Sequence, residues 1–142
     1  MIDAAVVDAS VAAKWVLEEA GSESARRLFR ARLQAPELLL VECASILWKK
    51  VRLGNLTEEG AAARLEALSQ GPVLLVSGRE LIKPALRLAV DLSHPVYGCL
   101  YLALAVERGL PLVTADRRFV EAARKRKHLA SHVQRLEDLP GA

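Results

Sequence analysis

Residues 4–15 read AAVVDASVAAKW, and their order decides the fold class. Four apolar residues run without polar alternation and stop at Asp8. A strand that alternates has one wet face, whereas one that does not is covered on both. Ala4–Val7 is therefore predicted to be a buried strand with an acid at its carboxyl end. Asp8-Ala9-Ser10 then opens a helix, expected over about Val11–Glu18 and broken by Gly21-Ser22. The same order, short apolar run and then an acid, recurs in LVTADRRF at residues 112–119. VLLV at residues 73–76 reads as another buried strand, 33–35 as a very short one before Pro36, and 132–135 as an edge strand.

Helical patterns fill the gaps. They are expected over Ser24–Arg32, over Glu37–Leu53 after Pro36, and from an N-cap at Thr57 to Ser69. Another covers Arg79–Leu92. Ser93-His94-Pro95 restarts a helix that runs to Arg108 and closes at Gly109, and a basic helix spans 117–128. Short unalternated strands separated by helices imply an α/β fold, a three-layer α/β/α sandwich with a mostly parallel central sheet. With neither repeat nor linker, residues 1–142 read as one domain. Such sheets bind ligands at the carboxyl ends of their strands, near a topological switch point.

Composition narrows the class. Hydrophobic residues make up 52% and aromatics only 4%, so the core must be Leu, Val and Ala. That apolar content excludes a disordered chain. Cys43 and Cys99 are too few for a disulfide scaffold or a four-ligand zinc site, and each lies in an apolar helical stretch as a small hydrophobe. Asp3 and Asp8 stand where a secretory signal needs basic and then apolar residues. The longest uncharged apolar run, Val96–Val106, falls short of the roughly 20 residues of a membrane span. A soluble, cytoplasmic protein is expected.

The acids are the informative feature. Asp8 and Asp116 end two strands and reach one rim if those strands are parallel. Glu42 sits in a helix among apolar neighbours, where an ionised carboxylate is costly unless it is paired or metal-bound. Taken singly, Asp8 and Asp116 can be helix caps, and Glu42 can pair with Lys or Arg. Taken together, hard oxygen ligands at a rim select Mg²⁺ or Mn²⁺ and suit phosphodiester hydrolysis.

Four stretches carry a family resemblance: VVDASVAAKWVLEE (6–19), APELLLVECASILWKK (35–50), LSHPVYGCLYLALA (92–105) and LVTADRRF (112–119). In order and spacing they resemble the four motif regions of PIN-domain ribonucleases, most nearly the VapC toxins of toxin–antitoxin pairs. The resemblance covers nearly the whole chain. It implies a metal-dependent endoribonuclease using Mg²⁺ or Mn²⁺, with Asp8, Glu42 and Asp116 as metal-site acids and Ser10 and Thr114 as supporting hydroxyls. Taken alone, Ser10 reads as an N-cap and Thr114 as a strand-end turn. The resemblance further implies an RNA substrate, a VapB-like antitoxin partner and a homodimer.

One position departs from the family pattern. The third motif usually carries an Asp where this chain has Gly98. Glycine inside a helix costs about 0.5–1 kcal/mol relative to Ala, and the sequence shows no packing benefit in return. The substitution also removes a charge where metal affinity depends on carboxylates, so weakened or lost catalysis is expected. Two origins compete: a form inactivated because the active toxin is selected against, or a natural variant. Asp91 is the nearest spare acid, but it precedes the Ser93-His94-Pro95 break and is expected to point elsewhere. A smaller departure is Ser45, where relatives often carry Asn.

The chain has 20 basic and 17 acidic residues, and the excess is local. Residues 117–128 hold six basic residues against Glu121 alone. The segment reads as a solvated helix end or as a phosphate-contacting surface, with Arg117 and Arg118 the RNA-contact candidates because they follow Asp116. Trp15 and Trp48 are expected in the core. The competing class is a non-catalytic module that binds RNA or an antitoxin. An unrelated phosphohydrolase is disfavoured by the absence of GxxxxGK[ST] and GxGxxG loops.

Overall fold

The structure, a computed structural model, describes residues 2–140. Five strands form one sheet: β1 (Ala4–Val7), β2 (Arg32–Pro36), β3 (Val73–Val76), β4 (Leu112–Thr114) and β5 (Val133–Arg135). Their order is β3-β2-β1-β4-β5, and every pairing is parallel. The chain builds outward from β1 through β2 to β3, then crosses back to lay β4 on the other side of β1. The switch point therefore lies between β1 and β4, where Val6 is level with Leu112 and Val7 with Val113. Asp8 and Asp116 are carried just beyond this pair.

The helices are α1 (Ala9–Ala12), α2 (Ser22–Arg27), α3 (Leu38–Arg52), α4 (Glu58–Ser69), α5 (Ile82–Leu92), α6 (Val96–Arg108), α7 (Arg117–Arg124) and α8 (Lys127–Ala130). Because side chains alternate along a strand, β1 sends Val6 to one face and Ala5 and Val7 to the other. Val6 and Leu112 belong to a core with Leu39, Cys43, Tyr101 and Leu102 from α3 and α6. Ala5, Val7 and Val113 join a second core with Val11, Ala25 and Leu28. This is the three-layer sandwich expected.

Several boundaries differ from the sequence reading. The first helix is only one turn long and continues as a 3-10 turn over Ala13–Trp15. The Trp15 indole N–H donates to the Ala25 carbonyl at 2.8 Å, which ties this end down to the next helix. Gly21, at φ +89°, breaks the chain in the left-handed region and lets α2 begin at Ser22. The strand β2 takes Arg32, which the sequence placed in a helix. The basic segment is two helices, not one. Ala123 and Leu129 are both buried, and six residues apart they cannot share a helical face, so the chain kinks through extended Arg126. Thr57 is the N-cap expected, accepting from the Gly60 N–H at 3.0 Å.

Trp48 contradicts the core expectation. It is 58% exposed, with the Arg52 guanidinium 5.0 Å from its ring centre. Both cysteines are buried, and desolvation raises their thiols to about 12 (Cys43) and about 11 (Cys99). Among the described residues no single helix is long and apolar enough to cross a membrane.

Candidate functional site

An open cavity of about 670 Å³ lies at the carboxyl edge of the sheet, over the switch point. Asp8, Glu42 and Asp116 all line it, together with Ser10, Ser45, His94, Gly98 and Tyr101. No Lys or Arg is among its lining residues.

Asp8 is both cap and site residue. Its Oδ1 accepts from the backbone N–H of Ser10 (3.1 Å) and of Val11 (3.3 Å), which satisfies the start of α1. Two hydroxyls complete its shell: Ser10 donates to Oδ1 and Thr114 to Oδ2, each at 2.5 Å. Thr114, wholly buried, also accepts from the Asp116 N–H at 3.1 Å, and Ser10 accepts from the Ala115 N–H at 2.9 Å. The two hydroxyls thus lace the end of β1 to the end of β4. The cap of α1 is Asp8 rather than Ser10. Burial nevertheless dominates Asp8 and raises its carboxyl to about 6. The hydrogen bonds from Ser10, Thr114 and Val11 oppose that rise, and the Glu42 charge adds to it.

Asp116 caps α7, accepting from the Phe119 N–H at 3.1 Å through Oδ1. Glu42 projects from α3 beside the buried Leu39 and Cys43. Its partner is neither Lys nor Arg but the Tyr101 phenol, which donates to Oε1 at 2.5 Å. Burial and that donation push the Tyr101 hydroxyl far above its usual range. Tyr101 was not singled out in the sequence. The available signal was its place on α6, three residues after Gly98 and so on the same face.

Gly98 has a packing consequence that the sequence concealed. A Cβ there would lie 2.8 Å from Nε2 of His94, closer than a Cβ approaches without a shift of the ring, and 3.2 Å from Cδ2. The His94 ring occupies the space of a side chain at 98. This contact between position 98 and the His94 ring is not legible in the sequence. Asp91 is no substitute acid, as anticipated, since it pairs with Arg126 at 3.0 Å. Arg117 and Arg118 are exposed on the first turn of α7 and do not line the cavity, and Arg117 stands 3.7 Å from Glu137.

The donor set fits a divalent cation by charge and hardness: three carboxylates share a cavity with no Lys or Arg on its walls. Among the described residues no three His, Cys, Asp or Glu side chains already converge on one point.

Comparison with known proteins agrees with this geometry. Residues 5–125 match the model of the PIN domain family. The chain is 38% identical to Ribonuclease VapC3 of Pyrobaculum aerophilum over 120 residues, 82% of this chain and 92% of that one. The crystal structure of PAE2754 from Pyrobaculum aerophilum superposes with a TM-score of 0.73 at 23% identity, covering 97% of this chain and 92% of that one. That of Mycobacterium tuberculosis VapC20, described as a sarcin-ricin loop cleaving toxin, superposes at 0.65 with 19% identity, over 82% and 93%. With its acids at the switch point of a parallel sheet and a family match across most of its length, the chain belongs to the PIN domain family.

Proposed function

We propose that this protein is a metal-dependent endoribonuclease of the VapC toxin type, hydrolysing RNA phosphodiester bonds, with activity weakened by the glycine at position 98. The observation that carries the reading is the cavity itself: Asp8, Glu42 and Asp116 face it without a basic counter-charge. These three acids hold Mg²⁺ or Mn²⁺. A divalent ion bound there supplies Lewis acidity toward the scissile phosphate and its attacking water. The chain's own groups do the positioning. Ser10 and Thr114 fix both oxygens of Asp8, Tyr101 fixes Glu42, and the α7 cap fixes Asp116. Arg117 and Arg118 extend the site toward the RNA backbone, where they contact phosphates.

The relatives' toxin character supports an antitoxin of VapB type and a homodimer, in the cytoplasm. Exposed apolar side chains fit such partners: Val41 and Trp48 on α3, and Ile82, Leu86 and Val90 spaced by four along α5. The second reading, a non-catalytic module that binds RNA or an antitoxin, is favoured by one observation, the missing carboxylate at Gly98. Cleavage of a mixed RNA substrate by the chain and by Gly98→Asp, with Mg²⁺ and with EDTA, separates them. Weak, EDTA-sensitive cleavage that rises at least tenfold in Gly98→Asp is expected. No cleavage by either protein, with RNA binding indifferent to EDTA, refutes the nuclease.

A further inference from the structure

The place left by residue 98 is filled by His94. Gly98 lies on the first turn of α6, and His94 precedes that helix by two residues. Nε2 stands 2.8 Å from the position of an ideal Cβ at 98, within the volume that a side chain at that position would take up. The ring is held there. Its face packs on Phe119, with centroids 4.3 Å apart, and its backbone N–H donates to the Ala89 carbonyl at 3.1 Å. The His94 carbonyl accepts from the Cys99 thiol at 3.9 Å. The imidazole nitrogens have no hydrogen-bond partner among the described residues, although His94 lines the same cavity as the three carboxylates.

We infer that the His94 imidazole takes the place of the missing carboxylate at the metal site, with Nε2 as a nitrogen ligand to a divalent transition ion. The inference rests on the metal-site reading above and goes beyond it. Exchanging one anionic oxygen for one neutral nitrogen has a chemical consequence. Mg²⁺ gains little from imidazole, whereas first-row transition ions accept it readily. The site is thereby retuned from Mg²⁺ toward transition ions, for which Mn²⁺ serves as the paramagnetic probe, and the ring's tilted contact with Phe119 limits its rotation. Glycine at 98 is what permits it, since any Cβ displaces the ring.

The test is electron spin-echo spectroscopy of the full chain with Mn²⁺, alongside Mn²⁺ and Mg²⁺ affinities by titration. The expected result is a ¹⁴N modulation from a directly bound imidazole and Mn²⁺ binding about tenfold or more tighter than Mg²⁺, the scale on which a single supporting group is felt at metal sites. His94→Gln should abolish the modulation while leaving the circular dichroism spectrum unchanged. Gly98→Asp should also abolish it, while raising the Mg²⁺ affinity. Mn²⁺ bound without ¹⁴N modulation, or modulation that survives both substitutions, overturns the role of His94 and leaves the carboxylate site standing. Absence of any divalent binding by the chain and by Gly98→Asp overturns both.

Discussion

Asp8→Asn should stabilise the metal-free protein at neutral pH. The folded chain raises the Asp8 carboxyl from 3.8 to about 6, chiefly by burial. A raised carboxyl binds its proton more tightly in the folded state than in the unfolded one, so stability falls as pH rises between those two values. The favourable contribution is complete below about pH 4 and gone above about pH 6. At 1.36 kcal/mol per unit, two units amount to about 3 kcal/mol of destabilisation at pH 7.5. Asparagine carries no charge at either pH. Its Oδ1 still accepts from the Ser10 and Val11 N–H groups that Asp8 satisfies. On the other side its amide faces Thr114, whose hydroxyl has a second lone pair to accept with.

The assay is urea denaturation of both proteins in EDTA at pH 4 and pH 7.5. Comparing the two cancels the titrating groups that do not interact with Asp8. Their difference should be small at pH 4 and should open to about 2–3 kcal/mol in favour of Asp8→Asn at pH 7.5, roughly 10 °C in Tm for a domain of this size. A divalent ion at a hundred times its Kd should return about 2.7 kcal/mol to the wild type and little to the variant. A difference that stays constant with pH, or a variant less stable at pH 7.5, would refute the claim that burial of this charge works against the fold.

Thr114→Val removes the donor to Asp8 and the acceptor of the Asp116 N–H, so the Asp8 carboxyl should titrate above about 6 by carboxyl NMR and the fold should lose about 1–3 kcal/mol. Tyr101→Phe strips Glu42 of its donor and should cost about 1.5–3 kcal/mol in chemical denaturation, with divalent affinity lowered as Glu42 loses its orientation. Arg118→Glu should weaken RNA binding across sequences and flatten its dependence on salt, with divalent affinity unchanged, as read by fluorescence anisotropy at several ionic strengths.

What could be read from the chain in advance follows from where each signal resides. The strands β1 and β4 are local statements: an unalternated apolar run ending in an acid says both that the strand is buried and where it stops. Thr57 as a cap is local too. The departures arise where tertiary packing chooses among locally equal options. The apolar residues of α3 do not announce which will face water, so Trp48 reads as core although it is exposed. The kink at Arg126 depends on burying both Ala123 and Leu129, which no window of charged residues reveals. The partners of Glu42 and Gly98 are of the same kind. Tyr101 is 59 residues from Glu42, and His94 matters only because its ring folds back over the first turn of α6.

The alternatives weighed for the acids turn out not to compete. Asp8 and Asp116 were each open to a bland reading as a helix cap, and each is one. In a parallel sheet the carboxyl end of a strand feeds directly into the following helix, so an acid at that junction meets the free N–H groups of the helix start. Capping takes one oxygen and fixes the side chain against rotation. For Asp116 the bond from Phe119 falls on Oδ1, which leaves Oδ2 for the cavity. For Asp8 the cap is supplemented by two hydroxyls, and the carboxylate is held at a position that burial alone disfavours. A cap therefore serves as the support that a metal-site acid requires. Residue 98 differs: it stands in the first turn of α6, whose start carries no side-chain cap, so glycine there gives up both a site acid and the stabilisation that an acid finds at a helix N-terminus.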